Sequence, residues 1–322
     1  IKTMNKDVKV AELSHEYDAS FRPSKNYLSS MPDIQNTASA SIHMPINMVG
    51  ISNFLMPLQV IQKDGGQQEV QASVSGTVSL EAEKAGINMS RIIRTAYSSI
   101  NNALSIDKLC EVLTNYKRDL ETFDAHIILK FPYRMWQNSL RSRNEDGTLN
   151  GAWQYYDVVF DVNLDRDGKF TKRMYLDFVY SSACPCSTAL SEHAALSRGK
   201  YGIPHSQRSV ARIGLEFDKM IWIEDVVYAC RKALKTEVQT YVKREDEQCF
   251  AELNGAYTKF VEDAIRILAD MCEKIPNVKD YKIILSHAES LHPHNATALI
   301  IKGLPNGFTQ DVSYDEWMSL VK

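Results

Sequence analysis

The sequence predicts an α+β protein built from two similar modules, and three observations support this. The chain has 322 residues, more than a single hydrophobic core usually serves. Apolar runs typical of strands are interrupted twice by segments with helical spacing. The order strand, strand, helix, helix, strand, strand (ββααββ) occurs twice, as a repeat of structure type without residue identity. Each module is therefore expected to pack its pair of helices on one face of an antiparallel sheet.

Three segments follow from this order. Residues 1–42 are polar without a sustained period, so we interpret them as an N-terminal arm. Residues 43–168 form the first module and residues 169–322 the second. The open sheet edges need covering, which assembly of several copies into a barrel would provide.

The first module opens with a predicted hairpin. Residues 46–61 are rich in Val, Ile, Phe and Met, Asp64-Gly65-Gly66 supplies a turn, and residues 70–80 alternate between apolar and polar. Two helices follow, the first capped by Asn88 or Ser90 and the second opened by Ser105. The later elements are strands at 125–131 and 153–162, separated by a charged loop at 141–151.

The second module repeats this order with different residues. Its helices show apolar residues at helical spacing, and its strands are short apolar runs. The predicted strands are 173–182, 209–217, 282–286 and 296–301, and the predicted helices are 222–241 and 257–272.

Composition narrows the function classes. The net charge of −3 does not favour a nucleic-acid partner, and no apolar run approaches the ~20 residues of a membrane span. Six cysteines in a chain of this length do not indicate a disulfide scaffold. We therefore expect a cytoplasmic protein with reduced thiols. Glycine-rich nucleotide motifs and the G-x-S-x-G and H-E-x-x-H motifs are absent from the sequence.

The densest group of soft metal ligands is Cys184-Pro185-Cys186, followed downstream by His205. Two thiols and an imidazole suit Zn²⁺ or a related metal, or a nucleophilic thiol. The alternative is two buried cysteines and an unrelated surface histidine. Spacing leaves both open, because the eighteen residues between Cys186 and His205 fit no compact zinc-finger pattern.

Carboxylates and a further histidine near the second module's elements could complete such a site. Glu247 lies in a charged run, Glu262 on a predicted helix, and Glu289 and His292 after the penultimate strand. Taken singly, each is equally typical of a solvated helix face or a turn. Three protein ligands would leave one metal position open for water.

Several segments together resemble the prokaryotic type IB GTP cyclohydrolase I family. The resemblance covers most of the chain, and the joint presence of its motifs is far more specific than Cys-Pro-Cys alone. The matching segments are Gly50-Ile-Ser-Asn-Phe54, Gly86-Ile-Asn-Met-Ser-Arg91, Cys184-Pro-Cys-Ser187, His205-Ser-Gln-Arg-Ser209, Arg244-Glu-Asp-Glu247, Phe260-Val-Glu-Asp263 and Glu289-Ser-Leu-His292.

The resemblance implies a fold, a reaction and an assembly. Members have the tunnelling fold, with two modules per chain in type IB, and form homotetramers with active sites at subunit interfaces. They convert GTP and water to 7,8-dihydroneopterin triphosphate and formate, the first step of tetrahydrofolate biosynthesis. They depend on a divalent metal such as Zn²⁺ or Mn²⁺, with iron as a further candidate.

The resemblance also implies roles for individual residues. One of Cys184 and Cys186 would ligate the metal with His205 and Glu247; the family's signature cysteine is the first of its pair, which points to Cys184. Cys186 would then be an outer or redox partner in catalysis. By position, Glu289 and His292 would line the metal site or ligate in an alternative state. Glu262 would anchor the guanine ring. Arg91 and Arg208 are candidate substrate-binding cations.

Departures from the family pattern affect mainly the first module's substrate contacts. Asn88 stands where many members have His, and the gap from Cys186 to His205 predicts an insertion looping out within 192–202.

Two rival functions keep the fold. One is a nitrile reductase using a nucleophilic cysteine and NADPH without metal; the other is a pterin- or purine-binding module without turnover.

Overall fold

One antiparallel sheet carries the whole fold. The computed structural model describes residues 16–100 and 103–321. Its eight strands are hydrogen-bonded in sequence order, each antiparallel to the next, and helices pack against them, which confirms the α+β class. The strands are β1 (Ile46–Ile61), β2 (Gln67–Leu80), β3 (Ala125–Arg143), β4 (Leu149–Leu164), β5 (Phe170–Ala183), β6 (Ser206–Phe217), β7 (Val278–His287) and β8 (Ala296–Ile301).

Helices occur in the arm, between the strands and after the sheet. They are α1 (Lys25–Ser30), α2 (Ile34–Thr37), α3 (Met89–Ser99), α4 (Ile106–Asp119), α5 (Pro185–Arg198), α6 (Ile223–Leu234), α7 (Arg244–Ala256), α8 (Val261–Lys274) and α9 (Tyr314–Met318). In the first half the order is β1-β2-α3-α4-β3-β4. In the second half α5 separates β5 from β6, and α7 lies between α6 and α8.

The predicted boundary at residue 168 falls in the turn between β4 and β5, and the sheet continues across it. These two strands pair from Asp157 with Asp177 to Leu164 with Phe170. One hydrophobic core spans both halves, with buried residues of the sheet packed against those of α3, α4, α6 and α8. In β3, for example, buried side chains alternate with more exposed ones along almost the full strand, so one face of the strand packs into the core.

The C-terminal segment packs against the second half in a separate, smaller cluster. Leu320 is buried with Val210 of β6 and Ile284 of β7, apart from the main core. Arg212 donates to both oxygens of the Asp177 carboxylate and to Ser319 Oγ. Residues after β8 are therefore part of the folded structure.

The arm predicted at 1–42 is described from residue 16 onward, and its first fifteen residues lie outside the described part. Its described residues are almost all exposed, with only the short helices α1 and α2. Among its exposed apolar side chains are Phe21, Leu28, Met31 and Ile34.

Several predicted element boundaries were wrong. The helix predicted over 222–241 ends at Leu234, because Lys235 takes a left-handed conformation (φ 66°) and Thr236 then hydrogen-bonds to Ser181 of β5. The loop predicted at 141–151 is strand at both ends, with a tight turn only between Arg143 and Leu149. The helix predicted over 257–272 begins later, at Val261.

Five helices of the described residues were not predicted: the short α1, α2 and α9, and the longer α5 and α7. The insertion expected to loop out within 192–202 is mostly the helix α5, which Gly199 ends with φ 62°. The charged run containing Glu247 begins α7. Among the helices of the described residues, none combines the length and apolar composition that a membrane crossing requires.

Candidate functional site

The ends of β5 and β6 bring Cys184 and His205 together. Ala183 pairs with Ser206 at the end of the ladder, and the Cys184 N–H donates to the His205 carbonyl (3.2 Å). Pro185 then ends the strand, since it cannot donate to a ladder, and it occupies the first turn of α5. The long segment between the two residues thus contains the helix α5, and its two ends lie side by side because β5 and β6 are paired.

A cavity of about 450 Å³ opens at this end of the sheet. Five of the residues singled out from the sequence line it: Cys184, His205, Glu262, Glu289 and His292. The other lining residues are Gln207, Lys259, Phe260, Val261, His287, Leu291, His294, Asn295 and Ala296. The cavity therefore combines a thiol, imidazoles, carboxylates and one ammonium group.

The His205 ring is oriented through its Nδ1 atom. Nδ1 lies 3.2 Å from Gln207 Oε1 and 3.4 Å from Glu289 Oε2. Both neighbours are acceptors, so they favour the tautomer that carries its proton on Nδ1. Nε2 then keeps its lone pair for a metal ion or for a proton.

The Gln207 amide is itself fixed by buried hydroxyls. Its Nε2 donates to Ser182 Oγ (2.7 Å), and Ser182 Oγ lies 2.8 Å from Ser209 Oγ. Because the amide nitrogen is engaged there, Oε1 faces His205. This support was not predicted, although the period-two spacing of His205, Gln207 and Ser209 at the start of a strand could have indicated it.

A buried lysine and a buried histidine also line this cavity, and neither was predicted. Lys259 is 6% exposed, and burial lowers its pKa to about 8. Burial and the Lys259 charge lower the pKa of His287 to about 4, so this ring is neutral at pH 7. The Tyr180 hydroxyl, whose pKa burial raises, lies within hydrogen-bonding distance of His287 Nε2, at 2.8 Å.

The remaining predicted residues of the cavity come from the start of α8 and from the segment after β7. Glu262 lies in the first turn of α8 and is exposed. Glu289, His292 and His294 follow β7, and the two histidine rings stack with centroids 4.8 Å apart. Carboxylate acceptors and imidazoles from these segments thus line the same cavity as the Cys184 thiol.

Four predicted site residues do not line this cavity. Cys186 is exposed in the first turn of α5, and Glu247 is exposed in the first turn of α7. Arg208 lies on β6. Arg91 lies on α3, where it donates to the Asp119 carbonyl and lines a separate cavity with Lys84.

The predicted metal ligands are only partly assembled. Within residues 16–100 and 103–321, no three His, Cys, Asp or Glu side chains are grouped closely enough to hold an ion. The donor types in the cavity nevertheless fit a borderline-soft metal, because a thiol, the imidazole of His205 and the nearby Glu289 carboxylate all line it.

Comparison with known proteins places the chain in a family. Residues 31–298 match the model of the type I GTP cyclohydrolase FolE2 family. GTP cyclohydrolase FolE2 of Cereibacter sphaeroides (strain KD131) is 47% identical over 91% of this chain and 81% of that protein. The FolE2 protein of Paracoccus denitrificans is 46% identical over 90% of both chains.

Among solved structures, the uricase of Arthrobacter globiformis aligns with a TM-score of 0.49 at 8% identity, covering 84% of this chain and 97% of that chain. This likeness is too distant to assign a reaction. The family match and the relatives cover most of the sequence, including every motif that carried the resemblance. The chain therefore belongs to the type I GTP cyclohydrolase FolE2 family.

Proposed function

We propose that this protein is a type IB GTP cyclohydrolase I, which converts GTP and water to 7,8-dihydroneopterin triphosphate and formate for tetrahydrofolate synthesis. The observation that carries the proposal is the meeting of Cys184 and His205 at the paired ends of β5 and β6. They share a cavity with Glu262 and Glu289, in a chain of the FolE2 family. Its two halves would be tandem tunnelling-fold modules with active sites at subunit interfaces.

We further propose that the cavity holds a divalent metal, Zn²⁺ or Mn²⁺ with iron as a further candidate. Cys184 and His205 Nε2 would be ligands. Glu247, which lies outside this cavity in the single chain, would have to approach it to be the third, and Glu289 and His292 would be alternates. A bound divalent ion lowers the pKa of water to ~7, which supplies a hydroxide nucleophile at neutral pH. Cys184 caps the N-terminus of α5, an end that stabilises nearby negative charge.

The protein's own residues would bind and orient the purine. The Glu262 carboxylate would accept two N–H bonds from guanine, a bidentate arrangement that favours this base. In the proposed complex the His205 imidazole would lie beside the reacting atoms in the fixed tautomer, so it would exchange a proton with N7 as the ring opens. Asp246 hydrogen-bonds to the β3 backbone and so fixes the first turn of α7, which carries Glu247.

The assembly we propose is a homotetramer. Arg91 and Lys84 line a cavity in the first half, separate from the one with Cys184, so one active site using both would need two subunits. The described arm exposes large apolar side chains such as Phe21 and Met31, which a partner subunit would bury. The six free cysteines fit a reducing, cytoplasmic location.

The proposal predicts that purified protein supplied with Mn²⁺ or Zn²⁺ releases formate from GTP and forms a pterin that fluoresces after oxidation. Removal of the metal with a chelator should abolish both signals, and re-addition should restore them. GTP binding without pterin under every metal would instead indicate a binding module. A covalent thioimide on a cysteine, formed from a nitrile without metal, would indicate a reductase.

Gln207→Leu tests the orientation of His205. The variant removes the acceptor of the Nδ1 proton, so we expect kcat and metal affinity to fall roughly 10- to 100-fold, as for other outer partners of ligating histidines. Gln207→Glu keeps an acceptor at this position and should recover most of the loss. Equal activity of wild type and the leucine variant would show that Gln207 does not set the ring's orientation.

A further inference from the structure

Lys259 is a buried cation without a carboxylate partner. Its Nζ donates to Thr236 Oγ1 (3.1 Å) and to the Tyr257 carbonyl. Within the described residues, no ion pair involves this side chain. An ammonium group that is nearly removed from water and not neutralised by an anion is costly. Such a group is retained where it meets an electron-rich ligand atom.

The contacts of Lys259 hold it in place. The hydroxyl of Thr236, which is fully buried, donates its proton to the Ser181 carbonyl and so presents a lone pair to Nζ. The backbone N–H of Lys259 donates to the Ala183 carbonyl, the residue before Cys184. An ammonium group has three donors, and two are used by protein acceptors. The third remains for a ligand.

Lys259 also differs in charge from its neighbours on the cavity wall. Of the described residues that line the cavity, it alone is a lysine or arginine. It lies three positions before Glu262, just ahead of the Phe260 cap of α8, and Glu262 is in the first turn of that helix. A ligand in this cavity would therefore meet a carboxylate acceptor and an ammonium donor at neighbouring points.

We propose that Lys259 is a specificity-determining residue that donates a hydrogen bond to the 6-oxo group of the purine. The proposal rests on the proposed function, because it takes Glu262 as the acceptor for guanine's N1–H and 2-amino group. The 6-oxo group is the acceptor next to N1–H on the base edge, so it needs a donor beside Glu262. An ammonium group there would reject a 6-amino purine, because two donors would face each other.

The contact would also help the reaction. Attack of hydroxide on C8 places the electron pair of the N7=C8 bond on N7, and the N9 lone pair, no longer shared with C8, is then free to delocalise through C4=C5 to O6. A cation fixed at O6 in a site shielded from water stabilises that charge without having to reorganise. Lys259 thus would contribute to both base selection and rate.

The experiment compares two ligands on metal-loaded protein. 7-Deaza-GTP keeps the 6-oxo, N1–H and 2-amino groups, and its C8 is not hydrolysable because N7 is replaced by carbon. 7-Deaza-ATP carries a 6-amino group instead. In Lys259→Met, calorimetry should show roughly 10- to 100-fold weaker binding of 7-deaza-GTP, the size of a charge-assisted hydrogen bond. Binding of 7-deaza-ATP should be unchanged or tighter.

A matched control is Lys274→Met at the other end of α8, where the lysine is exposed and paired with Asp270; this variant should change neither affinity. Equal weakening of both ligands, or no change, would show that Lys259 only supports the fold. If the methionine variant does not fold, Lys259→Gln keeps a donor for Thr236. A threefold or larger loss of discrimination in that variant supports the proposal, and an unchanged ratio overturns it.

These outcomes separate the proposal from the proposed function. If the wild-type protein forms pterin from GTP but Lys259→Met weakens neither ligand selectively, the proposed function stands and the role proposed for Lys259 is wrong. Wild-type protein that neither turns over GTP nor binds 7-deaza-GTP would overturn both.

Discussion

Cys184→Ser is expected to abolish formate release from GTP, whereas Cys186→Ser should retain most of it. The two thiols are two residues apart, yet Cys184 lines the cavity beside His205 and Cys186 is exposed on α5. Serine preserves size and hydrogen bonding but is a far poorer ligand for a soft metal. The loss at Cys184 should exceed the roughly 10- to 100-fold effect of removing an outer partner of a metal ligand.

Two measurements separate metal loss from a folding defect. Metal content after gel filtration should drop in Cys184→Ser and remain in Cys186→Ser. Thermal unfolding in the presence of a chelator should be similar for both variants and wild type, because neither thiol belongs to the buried core. A Cys184 variant with normal metal content and turnover would remove this residue from the site, and the reverse pattern would exchange the two roles.

The sequence predicted the strands and the helices that bury an apolar face. Residues 46–61 were predicted as a strand, and β1 has these bounds. Ser105 was predicted to open a helix, and its side chain accepts from Lys108 N at the start of α4. Such elements leave a periodic pattern because one face must be apolar to join the core.

The two longest helices that were not predicted, α5 and α7, lack such a face. No residue of α5 is buried, and Asp246 is the only buried residue of α7. Neither helix therefore imposes an apolar period on the sequence, and the Cys186–His205 gap and the charged run looked like a loop and a solvated surface. An apolar period in the sequence arises only where one face of an element is buried, so a helix that packs through polar contacts cannot be predicted from it.

The candidate site was predictable by residue type but not by arrangement. Cys184 and His205 are joined by strand pairing, which linear spacing does not show. Lys259 and Gln207 act through contacts with Thr236 and Ser182, more than twenty positions away in each case. Family resemblance supplied the roles, and the register of β5 with β6 explains how two of these residues come to share a cavity.

Asp246→Ala is expected to lower the free energy of unfolding by about 2–4 kcal/mol, although Asp246 is only the neighbour of a predicted ligand. Its Oδ1 accepts from the backbone N–H groups of Arg141 (2.7 Å) and Ser142 (2.9 Å). Its Oδ2 accepts from Lys243 N (2.9 Å). A buried N–H left without an acceptor costs ~1–3 kcal/mol, and the partly exposed donors can recover bonds with water.

The effect should depend on pH in a defined direction. Burial alone would raise the pKa of Asp246, but the hydrogen bonds from Ser142, Lys243 and Arg141 outweigh it and hold the pKa well below its usual value. The stabilisation is therefore complete above the unfolded value of ~3.9 and is lost as the pH falls toward the folded value. The difference in unfolding free energy between wild type and variant should be constant from pH 8 to 5 and shrink below about pH 4.

Glu245→Ala is the matched control, because Glu245 is the exposed neighbour of Asp246 in the same turn. Its unfolding free energy should stay within about 0.5 kcal/mol of wild type. Asp246 also anchors the first turn of α7 to β3, so its loss should weaken metal binding through displacement of Glu247. Urea unfolding followed at several pH values, with metal affinity measured on the folded variants, tests both effects. A stable Asp246→Ala protein with normal metal affinity would show that this anchor does not position Glu247.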